Sequence, residues 1–245
     1  MISLLSEELE RYERQLKLIG IGGQKKLKNT KVLIVGAGGL GSAVSIYLTV
    51  AGIGKLVIVD GEVVELSNLN RQILYTISDI GKPKAECACK RLREINPCIE
   101  IECYNKQFDE DLGTKLIPQV DLVVDALDNW STRFLLNRLC IKFKKPLVHA
   151  GIEGFYGQVM TIIPGKGPCL QCLFTKPPKE RQAIPVIGIT PGIIGILEAS
   201  EVIKLALSIG EVLLGKMLIV DLLNNEFKII NVRRNPRCPV CGGII

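Results

Sequence analysis

The chain has 245 residues, is 47% hydrophobic and 23% charged, and carries 31 Lys+Arg against 25 Asp+Glu. That composition excludes global disorder, and the length supports a sizeable core without disulfides. A net charge of +6 permits an acidic partner but does not demand a nucleic acid.

Residues 4–28 are charged, with Leu4, Leu5, Leu9, Tyr12 and Leu16 at helical spacing. They read as one or two helices lying outside the main fold, an N-terminal extension over residues 1–29. Val32–Val35 is a short β-branched run with glycine directly after it, Leu40–Ala51 reads as a helix, and Leu56–Val59 is a second run ending at Asp60. Strand, glycine turn, helix and strand in that order form the unit of a parallel sheet with helices on its faces. The pattern repeats through a helix at Lys84–Ile95, strands at Ile99–Tyr104 and Asp121–Ala126, a helix at Ser131–Phe143 capped by Ser131, and a strand at Leu147–His149. The fold class is therefore α/β, with a Rossmann-like, doubly wound, mostly parallel sheet over residues 30–150.

Beyond residue 150 the character changes. Phe155–Pro164 and Met217–Val232 read as strands without a helix between neighbours, the second folded at Asn224-Asn225. A helix at about Gly195–Leu207 interrupts them. Residues 151–245 thus extend the sheet with antiparallel strands in the same compact unit. Thr175–Pro185 is polar and proline-rich and reads as a mobile loop. The apolar window Ala183–Leu197 is too short for the ~20 residues of a membrane span and is broken by Pro185 and Pro191, so it reads as buried protein.

GAGGLG, Gly36–Gly41, follows a strand and opens a helix. In that context Gly36, Gly38, Gly39 and Gly41 let the backbone approach phosphates, and the helix N-terminus offers unpaired N–H groups. A carboxylate at Asp60 can accept hydrogen bonds from ribose hydroxyls. The motif alone does not separate ATP from NAD or FAD. SNLNRQ (Ser67–Gln72), GKPK (Gly81–Lys84) and DNW (Asp128–Trp130) all fall near the carboxyl ends of strands, where ligands of this fold bind. Two or more cations and a carboxylate converging there suit cleavage of a triphosphate, because charge builds on the leaving oxygens.

His149 is the sole histidine, so neither a multi-histidine metal site nor a triad independent of that residue is available. Nine cysteines include two C-x-x-C pairs, Cys169/Cys172 and Cys238/Cys241, whose four thiolates suit a closed tetrahedral zinc. A redox pair at one knuckle is the alternative. With no basic start or apolar run at the N-terminus, the pairs indicate a reducing, cytoplasmic setting and a metal, not a disulfide framework. Cys87, Cys89, Cys98, Cys103 and Cys140 read as small core or boundary residues.

These motifs, together with RYERQ (Arg11–Gln15), VDGEVVELSNLNRQ (Val59–Gln72), GKPKAE (Gly81–Glu86), DALDN (Asp125–Asn129) and CPVC (Cys238–Cys241), resemble in order the ThiF/MoeB/HesA family of ubiquitin-activating-enzyme-like adenylyltransferases. The resemblance implies that Asp60 holds the ribose and that Asn68, Arg71, Gln72 and Lys84 contact the phosphates. It implies that Asp128 binds magnesium and orients the reacting groups, with Asn129 beside it. Arg14 would reach into the neighbouring subunit's site as an arginine finger, which requires a homodimer. The four cysteines would hold zinc.

The implied reaction is adenylylation by ATP of the C-terminal Gly-Gly carboxylate of a ubiquitin-like sulfur-carrier protein, releasing pyrophosphate. A carboxylate is ionised at neutral pH, so no enzyme base is required. The resemblance leaves the carrier's pathway open among molybdopterin, thiamine, thionucleoside and archaeal protein-modifier pathways. Many members carry a further cysteine in the loop corresponding to Thr175–Pro185. Here Arg181 lies near that place, so the reaction is expected to stop at the acyl-adenylate and leave sulfur to a separate donor. That loop would cover the carrier tail, while Phe155 and Tyr156 offer apolar surface to its globular part. The apolar run at Ala183–Leu197 serves alternatively as dimer interface. Other readings are a relative that adenylylates a tRNA-bound carboxylate, an NAD-dependent oxidoreductase, and a zinc-stabilised binding module. No membrane or nucleic-acid partner is expected.

Overall fold

The apolar runs pair side by side into one sheet of eight strands. In this computed structural model, which describes residues 4–174, 176–179 and 184–243, the strands are β1 (Lys31–Val35), β2 (Lys55–Val59), β3 (Glu100–Tyr104), β4 (Leu122–Asp125), β5 (Leu147–Glu153), β6 (Tyr156–Ile162), β7 (Lys216–Asp221) and β8 (Glu226–Asn231). Their spatial order is β3-β2-β1-β4-β5-β6-β7-β8. The first five are parallel and the last three antiparallel. The order reverses at β1, which lies between β2 and β4, and that is the switch point where a ligand crevice opens in such sheets.

The helices are α1 (Ser6–Arg11), α2 (Glu13–Asn29), α3 (Gly39–Ala51), α4 (Lys84–Ile95), α5 (Glu110–Leu116), α6 (Trp130–Lys142), α7 (Leu170–Leu173) and α8 (Ile189–Leu207). Alternation along each strand divides the core in two. Val32, Ile34, Ile58 and Val124 pack under α3, α4 and α8 on one face. Leu33, Val35, Val57 and Val123 pack under α5, α6 and α7 on the other.

Several expectations need correction. The N-terminal helices do not lie outside the fold. Tyr12 and Leu27 are buried, and the Tyr12 hydroxyl accepts a hydrogen bond from Asn96 Nδ2 at 2.9 Å. The helix expected from Ser131 begins one residue earlier, and its cap is Asn129, whose Oδ1 accepts from Thr132 N at 2.9 Å. Helix α8 starts at Ile189 instead of about Gly195. Pro191 is tolerated in its first turn, where the N–H would be unsatisfied anyway. Gly195 sits where a Cβ would come within 2.7 Å of Leu40 O, so it is a close-packing residue against α3 and not a helix breaker.

The run expected to be buried is only half so. Ile187, Ile189 and Ile196 are exposed, whereas Thr190, Pro191, Ile194 and Gly195 are buried; Ala183 lies outside the described residues. Helix α5 has no counterpart in the sequence reading, although Asp109 caps it through Leu112 N at 2.8 Å. Cys89 on α4 and Cys103 on β3 are joined by a disulfide, where none was expected. The β2–β3 pairing brings β3 under α4, a juxtaposition that spacing along the chain does not reveal. Among the described residues no helix is long and apolar enough to cross a membrane.

Candidate active site

A cleft of about 680 Å³ opens over the carboxyl ends of β1, β2 and β4. Its floor is the glycine turn. Gly36 takes φ +99°, and a Cβ there would meet Ala126 O at 2.4 Å, so the turn tolerates no side chain. The peptide of Ala37 is clamped on both sides: its N–H donates to Asp60 Oδ2 at 2.8 Å, and its carbonyl accepts from the Tyr75 hydroxyl at 2.7 Å. Burial raises the Tyr75 pKa well beyond its ordinary value, so the hydroxyl stays a donor.

The cleft gathers Asp60, Asn68, Arg71, Gln72, Lys84, Asp128 and Asn129, all expected from the sequence. Gly36, Gly38 and Gly39 line it too, and Gly41 lies just inside α3. Asp60 also accepts from Glu62 N through Oδ1 at 2.8 Å. Each carboxylate oxygen can accept a second bond, which leaves capacity for hydroxyls. Burial raises the Asp60 pKa, opposed by its backbone hydrogen bonds and by Lys84. Lys84 is buried with its Nζ 2.6 Å from Glu62 Oε2. Arg71 is tethered through Nη1 to Ser67 O and Asn70 Oδ1, each at 2.9 Å.

Two groups are poised for a ligand. Gln72 Oε1 is buried without a hydrogen-bond partner. The Asp128 carboxylate is exposed, and among the described residues nothing bonds to it. Asn129 Oδ1, by contrast, already caps α6 and accepts from Ser131 Oγ.

A second cleft of about 730 Å³ adjoins the first. The two share Asp128, Arg133, Ile152 and Ile184 as a common wall. Trp130 and Phe174 stand on its rim with ring centroids 5.0 Å apart. Glu62 and Arg133 were not singled out in the sequence. Glu62 lies in the VDGEVVE run, and Arg133 lies one helical turn after Asn129; that spacing was their only signal. Beneath the wall, His149 Nδ1 lies 2.6 Å from Asp125 Oδ2, both fully buried. Burial lowers the His149 pKa, which keeps the ring neutral.

Arg14 is exposed on α2 and does not line the cleft of its own chain. Of the loop Thr175–Pro185, residues Thr175, Glu180, Arg181, Gln182 and Ala183 lie outside the described residues. Lys179 and Ile184 line the second cleft.

Away from both clefts, the Sγ atoms of Cys169, Cys172, Cys238 and Cys241 lie within 4.8 Å of one another. The pairs Cys169–Cys238 and Cys172–Cys241 are 3.6 and 3.4 Å apart. A tetrahedral zinc with Zn–S bonds of about 2.3 Å needs S···S separations of about 3.8 Å. Burial raises the Cys169 pKa, and nearby thiols raise it further; a bound dication removes that penalty. The donor set fits zinc with no open position.

The sequence matches the ThiF family over residues 12–240. It is 45% identical to a sulfur carrier protein adenylyltransferase of Thermus thermophilus, over 96% of this chain and 92% of that protein. It is 41% identical to a SAMP-activating enzyme E1 of Haloferax volcanii, over 98% of this chain and 92% of that one. Among solved structures, E. coli MccB with ATP superposes with a TM-score of 0.88 at 28% identity, over 97% of this chain and 75% of that chain.

Proposed function

The chain belongs to the ThiF family and is an adenylyltransferase, and from that premise we propose that it activates the C-terminal Gly-Gly carboxylate of a ubiquitin-like sulfur-carrier protein. A carboxylate oxygen attacks the α-phosphorus of ATP, the bond from that phosphorus to the β-phosphate bridging oxygen breaks, and pyrophosphate leaves with the electron pair. The observation that carries this reading is the convergence of Arg71, Lys84 and Asp128 on one cleft behind the glycine turn.

In this mechanism Asp60 holds the ribose, and Asn68 and Gln72 engage the phosphates. Gln72 offers its unpaired carbonyl to a hydroxyl or bound water and its amide to phosphate oxygens. Arg71 and Lys84 neutralise charge on the leaving group, an effect worth several kcal/mol where the donors are preorganised. Asp128, without a bonding partner among the described residues, would hold a magnesium ion, which would supply further neutralisation of the pyrophosphate. No enzyme base is required, so the neutral, buried His149 is a supporting residue.

The carrier's tail lies in the second cleft and delivers its carboxylate at the shared wall beside Asp128. Arg14, exposed and absent from the lining of its own chain's cleft, completes the site of a second copy. Leu66, Ile73, Ile187 and Ile189 are exposed on two segments that meet where Gly188 abuts Asn70 O, and they give that copy an apolar seat. Cys169, Cys172, Cys238 and Cys241 hold a structural zinc. The reaction stops at the acyl-adenylate, and a separate donor supplies sulfur.

ATP–pyrophosphate exchange tests the reading. Exchange that requires a carrier ending in Gly-Gly supports it; exchange indifferent to the carrier, or hydride transfer from a nicotinamide, overturns it. Mixing Arg14→Ala with Lys84→Ala chains should restore part of the activity that each homodimer lacks.

A further inference from the structure

Among the described residues, Arg133 is the cation on the wall shared by the two clefts. Arg71, Lys84 and Lys106 line only the first cleft, and Lys179 only the second. The Arg133 side chain is 7% exposed, yet little of its hydrogen-bonding capacity is used. Nη2 donates to Leu127 O. Nε lies 3.6 Å from Asp125 Oδ1, close enough for an ion pair but too far for a hydrogen bond, and it is buried without a partner. Among the described residues Nη1 bonds to nothing. The guanidinium carbon sits 5.3 Å from the centroid of the Trp130 ring. Nη1 lies 3.5 Å from where a Cβ on Gly151 would stand, Gln158 Nε2 lies 3.1 Å from the same point, and all three residues line the second cleft.

Asp125 is fully buried and fixed from two further sides, by His149 on Oδ2 and by Leu127 N on Oδ1 at 3.2 Å. It acts as a rigid counter-ion that holds the guanidinium in place. A buried cation with an unspent donor at the junction of a nucleotide cleft and a tail cleft calls for an anion arriving there. The phosphates already have Arg71 and Lys84. The anion left to be met is the one that the second cleft delivers.

The geometry points to Arg133 as the residue that grips the carrier's terminal carboxylate, holding one oxygen so that the other faces the α-phosphorus. This rests on the function proposed above and assigns that site its carboxylate-recognition element. The contact distinguishes a free C-terminus from an amidated or extended one, because a neutral terminus leaves the guanidinium unpaired at the junction. Arg133 therefore acts on recognition and alignment of the carrier, not on nucleotide affinity.

The test compares a tryptophan-free carrier ending in Gly-Gly with the same carrier amidated at its C-terminus. Binding is followed through Trp130, the only tryptophan of the chain. The wild type should bind the free acid at least about tenfold more tightly than the amide, as expected of a charge-assisted contact. Arg133→Gln should reduce that ratio to below about twofold, with Arg133→Lys in between because it keeps the charge but loses the fork. The KM for ATP in exchange should move by less than about twofold in Arg133→Lys, which retains a counter-charge for Asp125.

A wild type indifferent to amidation, a ratio unchanged in both variants, or an equal loss for acid and amide would each overturn the assignment. So would a rise in the KM for ATP larger than that for the carrier. Carrier-dependent exchange with an unchanged acid-to-amide ratio removes only the role of Arg133. Carrier-independent exchange removes the proposed function itself.

Discussion

Strands β1 and β8 belong to one sheet and live in different solvents. Val32, Leu33, Ile34 and Val35 of β1 are at most 1% exposed, whereas every residue of β8 is exposed. The centre of the parallel half is covered by helices on both faces, so β1, β2 and β4 carry unbroken apolar runs, Val32–Val35, Leu56–Val59 and Leu122–Val124. The antiparallel half ends on an open edge, with Phe227, Ile229 and Ile230 facing outward. The difference separates two tasks. Rigid, doubly covered strands end in the loops that carry Asp60, Arg71 and Asp128, while the outer strands present surface and lean on the four-cysteine corner for support.

Chelating the zinc proposed for that corner tests this support most severely. Exhaustive chelation, or Cys172→Ser, should lower the Tm by at least about 6–12 °C, corresponding to roughly 3 kcal/mol or more in a chain of this size. Metal analysis should find one zinc per chain before treatment. A chain that keeps its Tm with no zinc bound would show that the antiparallel half stands unaided.

Truncating one strand residue in each half sharpens the contrast. Ile34→Ala should cost about 2–5 kcal/mol in denaturant unfolding. Ile229→Ala should stay within about 0.5 kcal/mol. Equal losses would mean that β8 is covered in solution.

At the cleft, Asp128→Ala should reduce ATP–pyrophosphate exchange by about a hundredfold or more while leaving the Tm nearly unchanged, because the residue is exposed and, among the described residues, unpartnered. A parallel fall in Tm would recast Asp128 as a structural residue.

The smallest expected effect is a pH dependence at Glu198. This residue is fully buried on α8, and among the described residues neither carboxyl oxygen has a hydrogen-bond partner. Burial raises its pKa well above 4.5, with Asp125 raising it further and Arg133 opposing. Relative to the unfolded chain, the folded state therefore holds the proton more tightly. The associated stability is present below pH 4.5 and is lost as the pH rises through the folded pKa. Glu198→Gln has no such loss, so its Tm should exceed that of the wild type by a margin that widens with rising pH. A pH-independent margin would place the carboxyl on an unseen partner.

Much of the parallel half was legible in the sequence, because burial on both faces leaves continuous β-branched runs and because Asn96-Pro97 closes the helix between them. The positions that line the cleft were legible for a related reason: polar residues following such runs sit at strand ends. The antiparallel half was less so. The hairpin at Asn224-Asn225 declared itself, but the start of α8 was hidden by glycine and proline, whose meaning depended on how closely α3 approached. The exposed isoleucines of that run read as core because hydropathy does not tell a covered face from an uncovered one.

By itself, the sequence determined the order of elements, the glycine turn and the polar residues that follow each strand, since these depend on local backbone preference and on periodicity. It also determined that four thiols come as two pairs. Only the tertiary structure decided which groups meet: Lys84 with Glu62, Tyr75 with Ala37, Cys89 with Cys103, and Arg133 with Asp125 on the wall between two clefts. Those meetings depend on how strands far apart in the chain are ordered across a sheet, and no local preference encodes that ordering.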